Sequence, residues 1–270
     1  MTGRPDARRV GALFLACAGL SAPAAAQSTE PPAASAPPRA VLAAGWQFDP
    51  AFSGDGASTW SIDWTRQLAG GRVLTVGGGL HAIDESRWFV ARAGTTARPW
   101  PKVTVSGQGS VGGGHTAGAG FAHLTSRGDL TFHATSWAAV SVGDEYISID
   151  RARGHLVRTN AALRASTVVA VDLGVAASAG GNLNATFAVA RVDVATRPVA
   201  FFGGAAAGRT TPEVLALTGA ASGSQSLRQA FMGISTPVWR GDLRVAVDVL
   251  HLPAIVRRSV LVTVVVPVGR

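Results

Sequence analysis

From about residue 41 to residue 268 the chain alternates between two kinds of side chain. Runs of roughly ten residues, with apolar side chains at every second place, are separated by short clusters of Gly, Arg, Asp or Pro. A period of two is the mark of a strand with one apolar and one polar face, and turn formers between such runs mark hairpins. Trp60, Ile62 and Trp64 oppose Ser61, Asp63 and Thr65. Leu130, Phe132 and Ala134 oppose Thr131, His133 and Thr135. Val169, Val171, Leu173 and Val175 oppose Ala170, Asp172 and Gly174, and Leu243, Val245, Val247 and Val249 oppose Arg244, Ala246 and Asp248. The clusters Ala69–Arg72, Arg98–Pro101, Ser126–Asp129, Thr196–Pro198 and Trp239–Asp242 read as tight turns. No stretch carries a helical period.

Fourteen strands follow from this punctuation, at roughly 41–49, 57–68, 72–83, 87–97, 102–111, 116–126, 129–142, 146–158, 166–179, 182–195, 198–208, 225–238, 242–252 and 259–268. An even count puts both ends of a single-chain barrel in the periplasm. It also gathers the tight turns on one side and the connections 50–56, 208–224 and 253–258 on the other. The region 155–165 has the weakest alternation.

Two arrangements satisfy such strands. In a soluble sandwich or barrel the apolar faces form the core. In a membrane barrel they meet lipid and the polar faces line the interior. Three properties of the whole chain favour the second. Mean hydropathy is +0.25. Charged residues make up 15%, against about a quarter in ordinary globular domains. The single cysteine, Cys17, lies near the N-terminus, so no disulfide framework supports a large secreted domain. The expected fold is all-β: a transmembrane antiparallel up-and-down β-barrel of about 14 strands, with 12 to 16 compatible with the pattern.

The first 40 residues read differently. Arg4, Arg8 and Arg9 precede an apolar run from Val10 to Leu20, and Ala24-Ala25-Ala26 offers a small-residue cleavage site before Gln27. Residues 1–26 are therefore expected to be a signal peptide. The apolar run is too short to span a bilayer as a helix. Acylation at Cys17 is the alternative processing route, but Phe14-Leu15-Ala16 fits a lipobox poorly. Residues 27–40, rich in Pro, Ala and Ser, read as a disordered periplasmic lead. The barrel takes 41–270.

Charge adds partners. The formal charge is +8 from 24 basic and 16 acidic residues, and Lys102 is the lone lysine. The arginines are scattered rather than clustered on one surface, which argues against nucleic acid. Most lie in or near turns, where they can meet lipid phosphates. Outer-membrane lipid and lipopolysaccharide are the expected surroundings, and barrel-assembly machinery is the expected partner during biogenesis. Trp100 and Trp239 at one end, with Trp46, Trp60 and Trp88 toward the other, suit interfacial belts, although cross-strand packing explains them equally. Tyr146 is the lone tyrosine, and the chain ends Val-Pro-Val-Gly-Arg without the terminal aromatic usual in such barrels.

Candidate chemistry is sparse. Gly107-Gln-Gly109-Ser-Val-Gly112 fits G-x-G-x-x-G, but Gly113-Gly114-His115 and a further strand follow where a nucleotide-binding helix should open. The six histidines lack metal spacing. No G-x-S-x-G elbow is present. Arg127-Gly128-Asp129 and Arg240-Gly241-Asp242 read as turns, not as adhesive motifs. No cofactor is expected. The polar faces nominate Asp63, His81, His133, Asp150, Asp172, Arg244 and Asp248 as lumen-lining, with Arg244 and Asp248 on one face.

The order of several features resembles the YaiO-type outer-membrane barrel family. These are Trp60 and Trp64 leading into a strand, Gly-Asp-Glu-Tyr-Ile-Ser at 143–148, Phe201-Phe202-Gly203-Gly204-Ala205-Ala206-Ala207-Gly208 before Thr211-Pro212-Glu213, and Ser224-Gln225-Ser226. The resemblance covers about 44–266. It implies a location and a fold, and no catalytic residues. The expected function is a non-enzymatic narrow pore or envelope scaffold. A barrel enzyme acting on lipid or lipopolysaccharide, and a secreted soluble β-domain that binds a partner, are the alternatives.

Overall fold

The structure, a computed structural model, describes residues 40–49, 57–83, 86–116, 119–149, 152–196, 198–210, 225–253 and 255–268. The expected signal peptide, nearly all of the lead, Asp150 and the 211–224 connection lie outside the described residues. The strands are β1 (Ala40–Asp49), β2 (Ala57–Leu68), β3 (Arg72–Ile83), β4 (Ser86–Trp100), β5 (Val103–Thr116), β6 (Ala119–His133) and β7 (Ala138–Ile149). They continue as β8 (Ala152–Arg164), β9 (Val169–Gly181), β10 (Thr186–Ala195), β11 (Ala200–Thr210), β12 (Gln225–Val238), β13 (Gly241–Leu252) and β14 (Ile255–Pro267). Each pairs antiparallel with the next in sequence, and β14 returns to β1 to close the barrel. The closing seam runs from Val41↔Pro267 to Phe48↔Val260. No helix among the described residues is long and apolar enough to cross a membrane.

The two ends differ. One carries six short turns: 69–71, 101–102, 134–137, 165–168, 196–199 and 239–240. The other carries the two longest connections, 50–56 and 211–224. Gly70 and Gly71 hold φ of 74° and 70° in the first short turn, a left-handed geometry that glycine adopts without a Cβ clash. Thr135 and Ser166 organise the third and fourth turns. The Thr135 hydroxyl accepts from the Trp137 and Ala138 amides at 3.2 and 3.0 Å, and the Ser166 hydroxyl from Val168 and Val169 at 3.2 and 3.1 Å.

One expected turn is absent. Ser126–Asp129 lies inside β6, and β7 runs unbroken through 143–145, so the strands expected at 129–142 and 146–158 are displaced. Arg127 and Asp129 both face inward. Arg127 Nε donates to Asp129 Oδ2 at 2.6 Å and Nη2 to Oδ1 at 3.0 Å, while Gly128 points outward. The Arg-Gly-Asp tripeptide is here an ion pair two residues apart on one strand face. The second tripeptide does lie at a turn, where β13 begins at Gly241. The weakly alternating 155–165 stretch belongs to the continuous β8. The G-x-G-x-x-G segment is strand throughout, inside β5.

Registers carry one facing rule around the whole barrel. In β1, β2, β3, β6, β7, β10, β12 and β14 odd-numbered residues face inward, and in the other six strands even-numbered residues do, until a register shift between Ala97 and Trp100 turns Trp100 outward at the end of β4. The outward face is broadly apolar and accessible. Ile62, Phe89, Val111, Leu173, Val175, Met232 and Val249 are 43–64% exposed. Aromatic residues bound this band. Trp46, Phe48, Trp60 and Phe89 face outward toward the long-loop end, and Trp100, Phe132, Trp137, Phe201 and Trp239 lie at the short-turn end. Eleven residues separate Phe89 from Trp100. At about 3.3 Å per residue and a tilt of about 40° they span about 28 Å of barrel height, close to the apolar band of outer-membrane barrels. Trp88 does not join this belt. It faces inward, 7% exposed, and stacks on His81 at 4.9 Å.

Candidate functional site: the barrel interior

The interior divides by height. Near the long-loop end a buried apolar cluster lies on the inner face. It joins Trp88, Ile147, Ile149, Leu156, Phe187, Leu227, Leu250 and Leu252, and so draws on strands around the circumference. Beside it sit two polar pairs. Arg257 Nε donates to Asp49 Oδ2 at 2.9 Å, with side chains only 1% and 2% exposed. Gln229 Nε2 donates to Asp248 Oδ1 at 2.7 Å.

Lower on the wall, charged side chains are locked against one another. Arg92 makes a two-pronged contact with Asp63, its Nε reaching Oδ1 at 2.6 Å. Arg158 pairs with Glu145 across β7 and β8. Arg191 Nε donates to Asp193 Oδ2 at 2.8 Å, the same two-residue device as Arg127 and Asp129, and its guanidinium lies 5.1 Å over the Phe202 ring. Small neighbours make this possible. A Cβ on Gly77 would collide with the Asp63 carboxylate, and one on Gly143 with the Asp129 carboxylate. These glycines let the acids lie flat against the wall.

Among the nominated residues, Asp63 is held by Arg92, and Asp248 by Gln229. His81 Nδ1 is 3.2 Å from Thr59 Oγ1, and His133 Nε2 is 3.0 Å from Thr104 Oγ1 near the short-turn end. Asp172 faces inward opposite Arg191 across β9 and β10. Arg244 faces inward near the short-turn end, well exposed to the interior. Arg244 and Asp248 share a face but stand four residues apart, about 13 Å along the strand, so they do not touch. Asp150 lies outside the described residues. The alternation pattern missed Arg92, Asp129, Glu145, Arg158, Arg191, Asp193, Asp49 and Arg257. Their strand parity carried the inward signal.

No Ser-His-carboxylate set meets among the described residues. Ser110 Oγ lies 3.0 Å from His123 Nε2 and 2.6 Å from Thr125 Oγ1, and no carboxylate among the described residues orients that histidine. Asp144 and His155 pair at 2.8 Å on the outward face, and no described serine bonds His155. What the interior offers is a mixed-sign lining. Eight arginines and eight acidic residues share the described inner face, leaving a weak net field along it.

Solved structures resemble this architecture. The CymD monoaromatic hydrocarbon channel aligns with a TM-score of 0.59 at 9% identity, covering 85% of this chain and 88% of that one. The fold is that of outer-membrane channel barrels. A deltaS2S3 mutant of the TodX monoaromatic hydrocarbon channel aligns at 0.57 and 8% identity, over 85% and 90% of the two chains. A bacterial polysaccharide outer membrane secretin aligns at 0.52 and 9% identity, over 87% and 100%. At such identity the likeness concerns the fold alone. No family model and no curated protein matches the chain.

Proposed function

We propose that this protein is a non-enzymatic outer-membrane channel that passes small solutes through a narrow lumen. One observation carries the reading: a closed barrel presents an apolar band outward, between two aromatic rims, and keeps five of its six described ion pairs inside. A soluble β-domain would bury that apolar face, because an exposed apolar surface of this extent in water drives association. In hydrocarbon it is the favourable arrangement, and closure satisfies every strand edge. The passage opens toward the short-turn end, lined by Asp63, His133, Asp172, Arg244 and the locked arginines. It narrows at the apolar cluster around Leu156, Leu227 and Leu250.

The rest follows from this reading. Residues 1–26 direct export and are removed after Ala26, and assembly machinery inserts the strands. Outer-membrane lipid and lipopolysaccharide surround the wall, and nucleic acid is no partner. Within this frame the chain is a YaiO-type barrel, on the Trp60, Trp64 and 143–148 features. The monoaromatic ligands in the names of two similar structures, with the apolar constriction here, favour small and weakly polar solutes. The test is release of entrapped dyes and small aromatics from proteoliposomes. Size-limited efflux together with heat-modifiable gel migration is expected. Recovery as a folded soluble protein without detergent would overturn it.

A further inference from the structure

The charges of this barrel are sorted by face. Eight of the nine described acidic side chains face inward, whereas nine of the seventeen described lysines and arginines face outward or sit in short turns. The outward basic residues gather most densely at the long-loop rim. Arg87 is the second residue of β4 and Arg153 the second of β8. Arg228 and Arg258 are the fourth residues of β12 and β14. His115, Arg209 and His251 are the penultimate residues of β5, β11 and β13, and His155 is the fourth of β8. All are exposed. The registers bring them together. Arg87 stands opposite His115, Arg228 opposite His251, and Arg258 opposite Val249, next to His251 on that face.

No carboxylate among the described residues pairs with Arg87, Arg153, Arg209, Arg228 or Arg258. The one described acid on this face, Asp144, pairs with His155. The short-turn end is thinner, with Arg66, Arg72, Lys102 and Arg240. The outward aromatic side chains Trp46, Trp60 and Phe89 lie toward the same end, within four residues of the strand ends. A lipid with buried acyl chains places its headgroup phosphates at that height.

We infer that the outward rim of Arg87, Arg153, Arg209, Arg228 and Arg258 is a binding surface for the phosphates of outer-leaflet glycolipid. The inference rests on the membrane-spanning reading above. Guanidinium groups suit this partner, because each presents several donors in a plane that matches two phosphate oxygens. Their spread around the wall suits a lipid annulus rather than one soluble ligand. Among the described residues Asp144 is the one acid that competes on the outer face. Facing outward, the rim also stands apart from the solute passage.

The test uses the full barrel in neutral detergent with diphosphorylated lipid A as the probe. The variant R87Q/R209Q/R228Q/R258Q is compared with R66Q/R72Q/R240Q, which removes charge from the other rim. The four-arginine variant is expected to lose roughly tenfold or more in lipid A affinity, with a weakened salt dependence, and the second variant to retain it. Dephosphorylated lipid A should bind equally weakly to all three proteins, and millimolar inorganic phosphate should not displace lipid A. Equal losses in both variants, or none in the first, would overturn the rim as the site. Displacement by inorganic phosphate would overturn lipid as its partner. Heat-modifiable migration is recorded for each protein. If the wild type lacks it, the membrane reading fails; if all three show it and affinities are equal, only the rim inference fails.

Discussion

Replacing Asp49 should unfasten the seam that closes the barrel. Asp49 ends β1 and Arg257 lies near the start of β14, 208 residues away, yet their side chains meet at 2.9 Å with almost no exposure. The pair therefore joins the first and last strands at the long-loop end. Asp49→Ala leaves a guanidinium buried without its carboxylate. Breaking a buried pair from one side costs about 3–5 kcal/mol, or more than a hundredfold in the folding equilibrium. Arg257→Met should cost a similar amount. The double variant D49A/R257M should be less destabilised than the sum of the two, because neither charge is then stranded. Urea unfolding in detergent micelles, followed by tryptophan fluorescence and gel mobility, measures all three. Asp144→Asn serves as the control, since its partner His155 is half exposed on the outer wall, and its midpoint should stay near wild type. Single variants at Asp49 and Arg257 within about 0.5 kcal/mol of wild type would refute a buried closing pair.

Three further outcomes are expected. Val175→Arg places a charge on the outward face at mid-strand and should cost about 2–4 kcal/mol of folding in lipid vesicles, measured by the folded fraction against urea; no cost would deny that this face meets hydrocarbon. Gly77→Ala should lower the folded fraction because its new Cβ meets the Asp63 carboxylate, whereas Gly128→Ala, with nothing within 4 Å, should fold like wild type; similar behaviour of the two would contradict the inner packing. Arg92→Gln should shift the reversal potential toward cation preference and Asp172→Asn toward anion preference, and shifts of the opposite sign would place these groups away from the passage.

The fold was legible because hairpin topology and a period of two are local properties. In β2, β9 and β13 the apolar and polar sets stand on opposite faces, as their alternation requires. The misplaced turn at Ser126–Asp129 shows where local composition misleads. Gly and Asp there are turn formers by type, yet Leu124, Leu130 and Phe132 keep one phase across the segment. A tight turn would not preserve that phase by default, and the phase was the stronger physical signal. The interior was legible as a set of inward positions and not as a network. Whether Asp63 meets Arg92, 29 residues on, or Asp49 meets Arg257 depends on registers summed around the barrel, which no single strand encodes. For Trp88, at the end of the barrel its place in the chain indicates, the register decides between belt and cross-strand packing in favour of the latter, turning it inward onto His81.

Single-channel recording in planar lipid bilayers tests the central claim most directly. The account predicts discrete small conductance steps from heat-modifiable, folded protein, with larger steps from Leu250→Ala, which trims the buried cluster at the constriction. A folded barrel that inserts and stays electrically silent in both forms would contradict it.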